Sequence, residues 1–87
     1  MKMIFSRHAL IQMAARGAGE DEVISAIEKG NHEPARENKF KSRMTFPFKN
    51  ISPVNGKFYN LKTIDTIFVE ENNEIIVVTV KVYYHNN

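Results

Sequence analysis

Residues 5–17 read "FSRHALIQMAARG" and place His8 in the first turn of a helix-like stretch, directly behind Arg7. A helix N-terminus carries partial positive charge, which disfavours an imidazolium, and Arg7 adds to that effect. A ring kept neutral suits a general base or acid; the plainer reading is a surface histidine beside a helix cap. Further on, "KFKSRMTFPF" alternates, with Phe40, Met44, Phe46 and Phe48 on one side and Lys39, Lys41, Arg43 and Thr45 on the other. Lys41 and Arg43 therefore share a strand face, where arginine can grip two phosphate oxygens and lysine acts as a point charge. A solvated row of charges is the alternative. In "IIVVTVKVYY", Thr79 interrupts an apolar run and Tyr83 lies four residues on, on the same face. Their side chains can bond a phosphate oxygen, orient an imidazole or stack on a base. Strand propensity accounts for Thr79 equally well, and covering the sheet end accounts for Tyr83. Brought together, these side chains would make a site for a phosphodiester.

The elements that must position them follow from the pattern. "MKMIF" reads as a short edge strand. Ser6 offers an N-cap, and Leu10, Ile11, Met13 and Ala14 give an inward helical stripe up to Gly17. "AGEDEVISAIEKG" repeats that grammar: Gly19 at the cap, three acids in the first turn, Val23, Ile24 and Ile27 inward, and Lys29-Gly30 at the end. Strands follow over "KFKSRMTFPF", "LKTIDTIFVE" and "EIIVVTVKVYY", with a hairpin turn at Glu71-Asn72-Asn73. In the last strand Ile76, Val78, Val80 and Val82 form the expected inward face. The expectation is one α+β domain over residues 1–87, β-α-α-β-β-β. Its N-terminal strand and helical hairpin pack on one face of a small antiparallel sheet, and the other face carries the polar side chains.

Composition narrows the class. The 87 residues are 43% hydrophobic and 25% charged, as expected of a globular domain. No apolar run approaches the roughly 20 residues that span a bilayer, and no leader with an apolar core is expected. Cysteine is absent, which removes disulfides, thiolate nucleophiles and cysteine-type zinc sites. His8, His32 and His85 lack ligand spacing, so neither a metal nor a cofactor is expected. The net charge of +2 hides a segregation. Between positions 36 and 62, Arg36, Lys39, Lys41, Arg43, Lys49, Lys57 and Lys62 stand against Glu37 alone. Such a basic middle suggests either a polyanion-facing surface or a lysine-rich solvated region.

"FSRHALIQMAARGAGEDEVISAIEKG" resembles the F-x-x-H-A … R-G-(I/A)-x-x-x-x-V-x-x-A-I-x-x-G opening of a family catalogued as a domain of unknown function. That family occurs at the C-termini of bacterial polymorphic and contact-dependent inhibition toxins. It is grouped with the RelE/ParE-like, or barnase–EndoU–colicin–RelE, metal-independent ribonucleases. Val77-Val78-Thr79-Val80 followed by Tyr83 is similar to the family's strand ending. The matches cover residues 5–30 and 74–84, and Gly19 stands where serine is common. The resemblance implies a RelE/ParE-like fold and cleavage of RNA, tRNA among the candidates, by attack of the ribose 2′-hydroxyl. The residues singled out by their own chemistry would fill that reaction's roles, His8 as base or acid, Lys41 and Arg43 as phosphate clamps, and Thr79 and Tyr83 assisting. Arg7, Arg36, Lys39 and Lys81 would hold the RNA. The resemblance also implies an acidic immunity or antitoxin protein, no membrane partner, and action in a bacterial cytoplasm after delivery within a larger secreted or cell-surface protein. The alternative is a toxin that binds RNA or poisons a protein without catalysis, in the manner of ParE.

Overall fold

The computed structural model describes residues 2–87. The chain runs β1 (Lys2–Phe5), α1 (Arg7–Arg16), α2 (Glu20–Lys29), β2 (Asn31–Pro34), β3 (Phe40–Ile51), β4 (Phe58–Glu71) and β5 (Glu74–His85). The strands form one sheet in the order β1-β5-β4-β3-β2. The class is α+β, as expected, with two departures. The sheet is mixed, because β1 pairs parallel with β5, Phe5 opposite Val77. There is also a fifth strand: β2 pairs with the start of β3, Pro34 opposite Phe40. Its sequence, "NHEP", is exposed throughout, so burial leaves no alternation to read. Backbone pairing alone makes it a strand.

The helix boundaries follow the capping residues. The Ser6 hydroxyl accepts the Ala9 N–H at 3.0 Å, and Gly17, at φ 83°, donates its N–H to the Met13 carbonyl. The left-handed conformation is why glycine suits that stop. The face of α1 differs from expectation. Ala9 and Met13 are buried, whereas Leu10 and Ile11 are 44% and 59% exposed. The cause is position. The first helix lies along β5, beyond the end of β1, and covers an open strand edge with polar side chains. Gln12 Oε1 accepts the Val80 N–H, and Arg16 Nη1 donates to the Val80 carbonyl, both at 2.8 Å. Such an edge helix buries only a narrow i, i+4 stripe. The second helix lies over β3 and β4, burying Val23, Ala26 and Ile27 against Ile64 and Phe68.

A β-bulge opposite Ile67 and Phe68 corrects the expected inward face of β5. Ile67 pairs with Thr79 and Phe68 with Val77, leaving Val78 as the extra residue. Val77 and Val80 are therefore both fully buried, three positions apart, and Ile76 and Val78 leave the core stripe. The β4–β5 turn is Asn72-Asn73 with both φ positive, 50° and 62°, the backbone of a two-residue type I′ hairpin.

Two buried polar contacts staple the helical layer to the sheet. Lys62 Nζ donates to Glu22 Oε1 at 2.9 Å and to the Gly17 carbonyl at 3.0 Å, and sits over the Phe48 ring. The Tyr84 hydroxyl donates to the Arg16 carbonyl at 2.6 Å. Burial, and then the charge of Glu22, raise its pKa above the ordinary 10.0. Unfolded tyrosine then ionises first, so the folded state loses stability as pH rises past about 10 toward the higher folded value. Replacing Tyr84 by phenylalanine should flatten that alkaline decline, read as the difference between two stability-versus-pH curves.

Candidate functional site

With both helices on one side, the other face of the sheet is open. Across its three central strands the register sets up rows of side chains. Arg43 stands opposite Asp65, and Asp65 opposite Lys81; Thr45 stands opposite Thr63, and Thr63 opposite Tyr83. Lys41 stands opposite Ile67, which is opposite Thr79. Rows on one face recur every two residues, about 7 Å apart, and strands lie about 4.8 Å apart. Eight polar side chains thus share three neighbouring rows.

Arg43 and Asp65 form a two-pronged pair: Nε donates to Oδ1 at 2.6 Å and Nη2 to Oδ2 at 2.7 Å. The hydrogen bonds and then the charge of Asp65 raise the guanidinium pKa, so Arg43 is a permanent cation. The Arg43 side chain is half exposed and that of Asp65 almost fully buried. The carboxylate consumes one edge of the guanidinium and fixes its plane, leaving Nη1 free of that pair. Backbone packing supports this position from behind. A methyl group on Gly30 would overlap the carbonyl oxygens of Ala26 and Arg43. Gly30→Ala should therefore lower stability by about 1–3 kcal/mol, measured by chemical denaturation, by forcing β3 away from the end of α2.

Beside this pair, Arg43, Thr45, Thr63, Tyr83 and His85 line a crevice of about 330 Å³. The His85 ring bonds at both nitrogens. Nδ1 lies 2.6 Å from the backbone oxygen of Asn87, an acceptor, so Nδ1 is the donor in that contact. In the neutral ring Nε2 is then an acceptor, and it receives the Thr63 hydroxyl at 2.7 Å. The Thr45 hydroxyl in turn donates to Thr63 Oγ1 at 2.7 Å. The result is a polarised chain, Thr45 to Thr63 to His85, ending on a basic nitrogen. The crevice thus holds an imidazole and two linked hydroxyls beside a cation.

The structure disperses other expected site residues. His8 is exposed on the first turn of α1, and that helix packs on β5. The crevices lined by Lys41 and Arg43 do not include it. Arg7 is exposed beside it. His8 therefore does not meet the cations of β3, because two strand spacings and the helix layer intervene. Lys41 shares a second crevice with Arg43 and is held by Glu33 at 3.1 Å. Lys39 lies 3.6 Å from Glu37, and Arg36 is exposed between β2 and β3. The basic middle is thus largely neutralised: Lys39, Lys41, Arg43 and Lys62 each have a carboxylate partner. Thr79 sits on the open face two residues from Lys81, and Tyr83 is 46% exposed beside Arg43. His32 turns to the helix side, its Nε2 donating to the Ile27 carbonyl at 2.5 Å.

Sequence reasoning missed Asp65, Thr63 and His85. The local signal existed, since Thr63 and Asp65 occupy alternate positions of "LKTIDTIFVE" and His85 continues the face of Tyr83. Their partners lie on other strands, which alternation does not name. The family models, curated proteins and solved structures compared with the chain give no match. No helix among the described residues is long and apolar enough to cross a membrane.

Proposed function

We propose that the chain binds RNA on the open face of its sheet and cleaves it by attack of a ribose 2′-hydroxyl on the adjacent phosphodiester. One observation carries this reading: an imidazole, an oriented guanidinium and an exposed tyrosine line the same crevice. In this mechanism Thr63 Oγ1 takes the 2′-hydroxyl proton as it passes its own to His85 Nε2. Arg43 stabilises the charge that grows on the phosphoryl oxygens. Tyr83 offers its ring to a base, and Thr79 and Lys81 extend the face along β5. The 5′-oxygen of the following nucleotide leaves as the P–O bond breaks and takes a proton from water, and the imidazolium of His85 then returns its proton to solvent. The products are a 2′,3′-cyclic phosphate and a free 5′-hydroxyl.

The resemblance of residues 5–30 to the RelE/ParE-like toxin family supports the same substrate and a role within a bacterial toxin, with an immunity or antitoxin protein as its partner. That partner would present acidic side chains to the open face and compete with RNA, in an interface weakened by salt. The test is induced expression followed by inspection of cellular RNA, with end-group analysis of the fragments. Fragments ending in cyclic phosphate are expected. Growth arrest with intact RNA would replace cleavage with a binding or protein-poisoning role.

A further inference from the structure

Lys41 and Arg43, expected as phosphate clamps, are each tied to a carboxylate. Arg16 and Lys81, which meet at the outer edge of β5, are not. Arg16, in the last turn of α1, donates from Nη1 to the Val80 carbonyl at the outer edge of β5, which orients its guanidinium. Lys81 is the next residue of β5, exposed and on the open face. Neither has a carboxylate within ion-pair distance among the described residues. Both line a crevice of about 300 Å³ with Val82 and Tyr83. Tyr83 also lines the crevice of Arg43 and His85. One aromatic ring therefore stands between two pockets, each with a cation, and the register places Arg43 and Lys81 on either side of Asp65.

We propose that Arg16 and Lys81 form a second phosphate subsite, so that a single RNA strand is held by two successive phosphates flanking the base received by Tyr83. This rests on reading the Arg43–His85 crevice as the RNA site. The chemistry suits phosphate. A guanidinium already pinned by a carbonyl loses little freedom on binding, and a lysine ammonium adds a mobile charge. With no carboxylate competing, an incoming phosphate supplies their only anionic partner. Asp65, almost fully buried and engaged by Arg43, repels the phosphate from the centre of the row and divides the two positions. The substrate is then a single strand of at least three nucleotides, since a paired strand would deny its base to Tyr83.

The experiment compares a dinucleotide and a trinucleotide, both 2′-deoxy at the reacting ribose, having one and two phosphodiesters. Affinity is measured by titration calorimetry at several salt concentrations. In the native chain the second phosphate should tighten binding about tenfold and steepen the salt dependence by about 0.7 in log–log slope. Lys81→Gln should remove most of that gain, weakening the trinucleotide far more than the dinucleotide. Adding Arg16→Gln should remove the rest. Because Arg16 also supports α1, the Lys81 variant, at an exposed strand position, decides if the double variant unfolds. A native chain that binds both lengths equally, or a Lys81 variant that keeps the full gain, overturns the subsite and leaves the RNA reading intact. A native chain that binds neither overturns both.

Discussion

Replacing His85 by alanine should lower the proposed RNA cleavage by about 10²–10⁴-fold, the usual contribution of a positioned proton acceptor, while His8→Ala should leave it unchanged. The physical basis is the direction of the hydroxyl chain. With Nδ1 turned to the backbone oxygen of Asn87, Nε2 faces the Thr63 hydroxyl, which lines the crevice. Removing the ring leaves Arg43 in place, so RNA affinity should change little while turnover collapses. His85→Gln keeps an amide able to bond Thr63 but too weak a base to take a proton, and it should be nearly as inactive. Single-turnover cleavage of a short RNA, with affinity from the non-cleavable analogue, separates the two effects. Equal loss from His8→Ala would return the chemistry to the first helix. A His85 variant of full activity would remove the proton-transfer scheme.

The second large effect concerns folding. Glu22→Ala should destabilise the chain by about 3 kcal/mol, near the lower end for breaking a buried pair. It strands the Lys62 ammonium, whose side chain is only 7% exposed. For a domain of this size the melting temperature should fall by more than about 10 °C. Lys62→Met should cost clearly less. The remaining carboxylate is 30% exposed and still accepts the Gly19 N–H at 3.0 Å, so water and backbone satisfy it. The asymmetry is the content of the prediction. Equal losses, measured by calorimetric melting of both variants, would mean that the ion pair contributes through packing alone.

The same pair shows why charge counting along the chain misleads. Lys62 stood among the cations of the basic middle, yet it faces the helices. Counting by position assigned Lys41, Arg43 and Lys62 to one surface, whereas strand alternation puts Lys62 on the opposite face from the other two. Their carboxylate partners come from α2, β2 and β4, which no window of local sequence includes. Arg16 illustrates the converse: it reads as an ordinary basic residue in the last turn of a helix. Only the edge position of α1 aims it at β5.

Local chemistry in the chain determined much of the scaffold. Ser6 and Gly17 bounded the first helix, Gly19 and the three acids opened the second, and alternation put Lys41, Arg43, Thr45, Thr79, Lys81 and Tyr83 on one polar side. These signals are legible because capping and Cβ direction act over a few residues. The tertiary structure decided the rest: the parallel seat of β1, the strand "NHEP", the outward turn of Leu10 and Ile11, and the bulge that moved Val77 into the core. It also decided which polar groups became neighbours. Cross-strand register is set by packing over distant segments, and one bulged residue reverses the side on which all following side chains fall. Arg43 therefore met Asp65 and Tyr83, and the imidazole beside them came from position 85 rather than position 8.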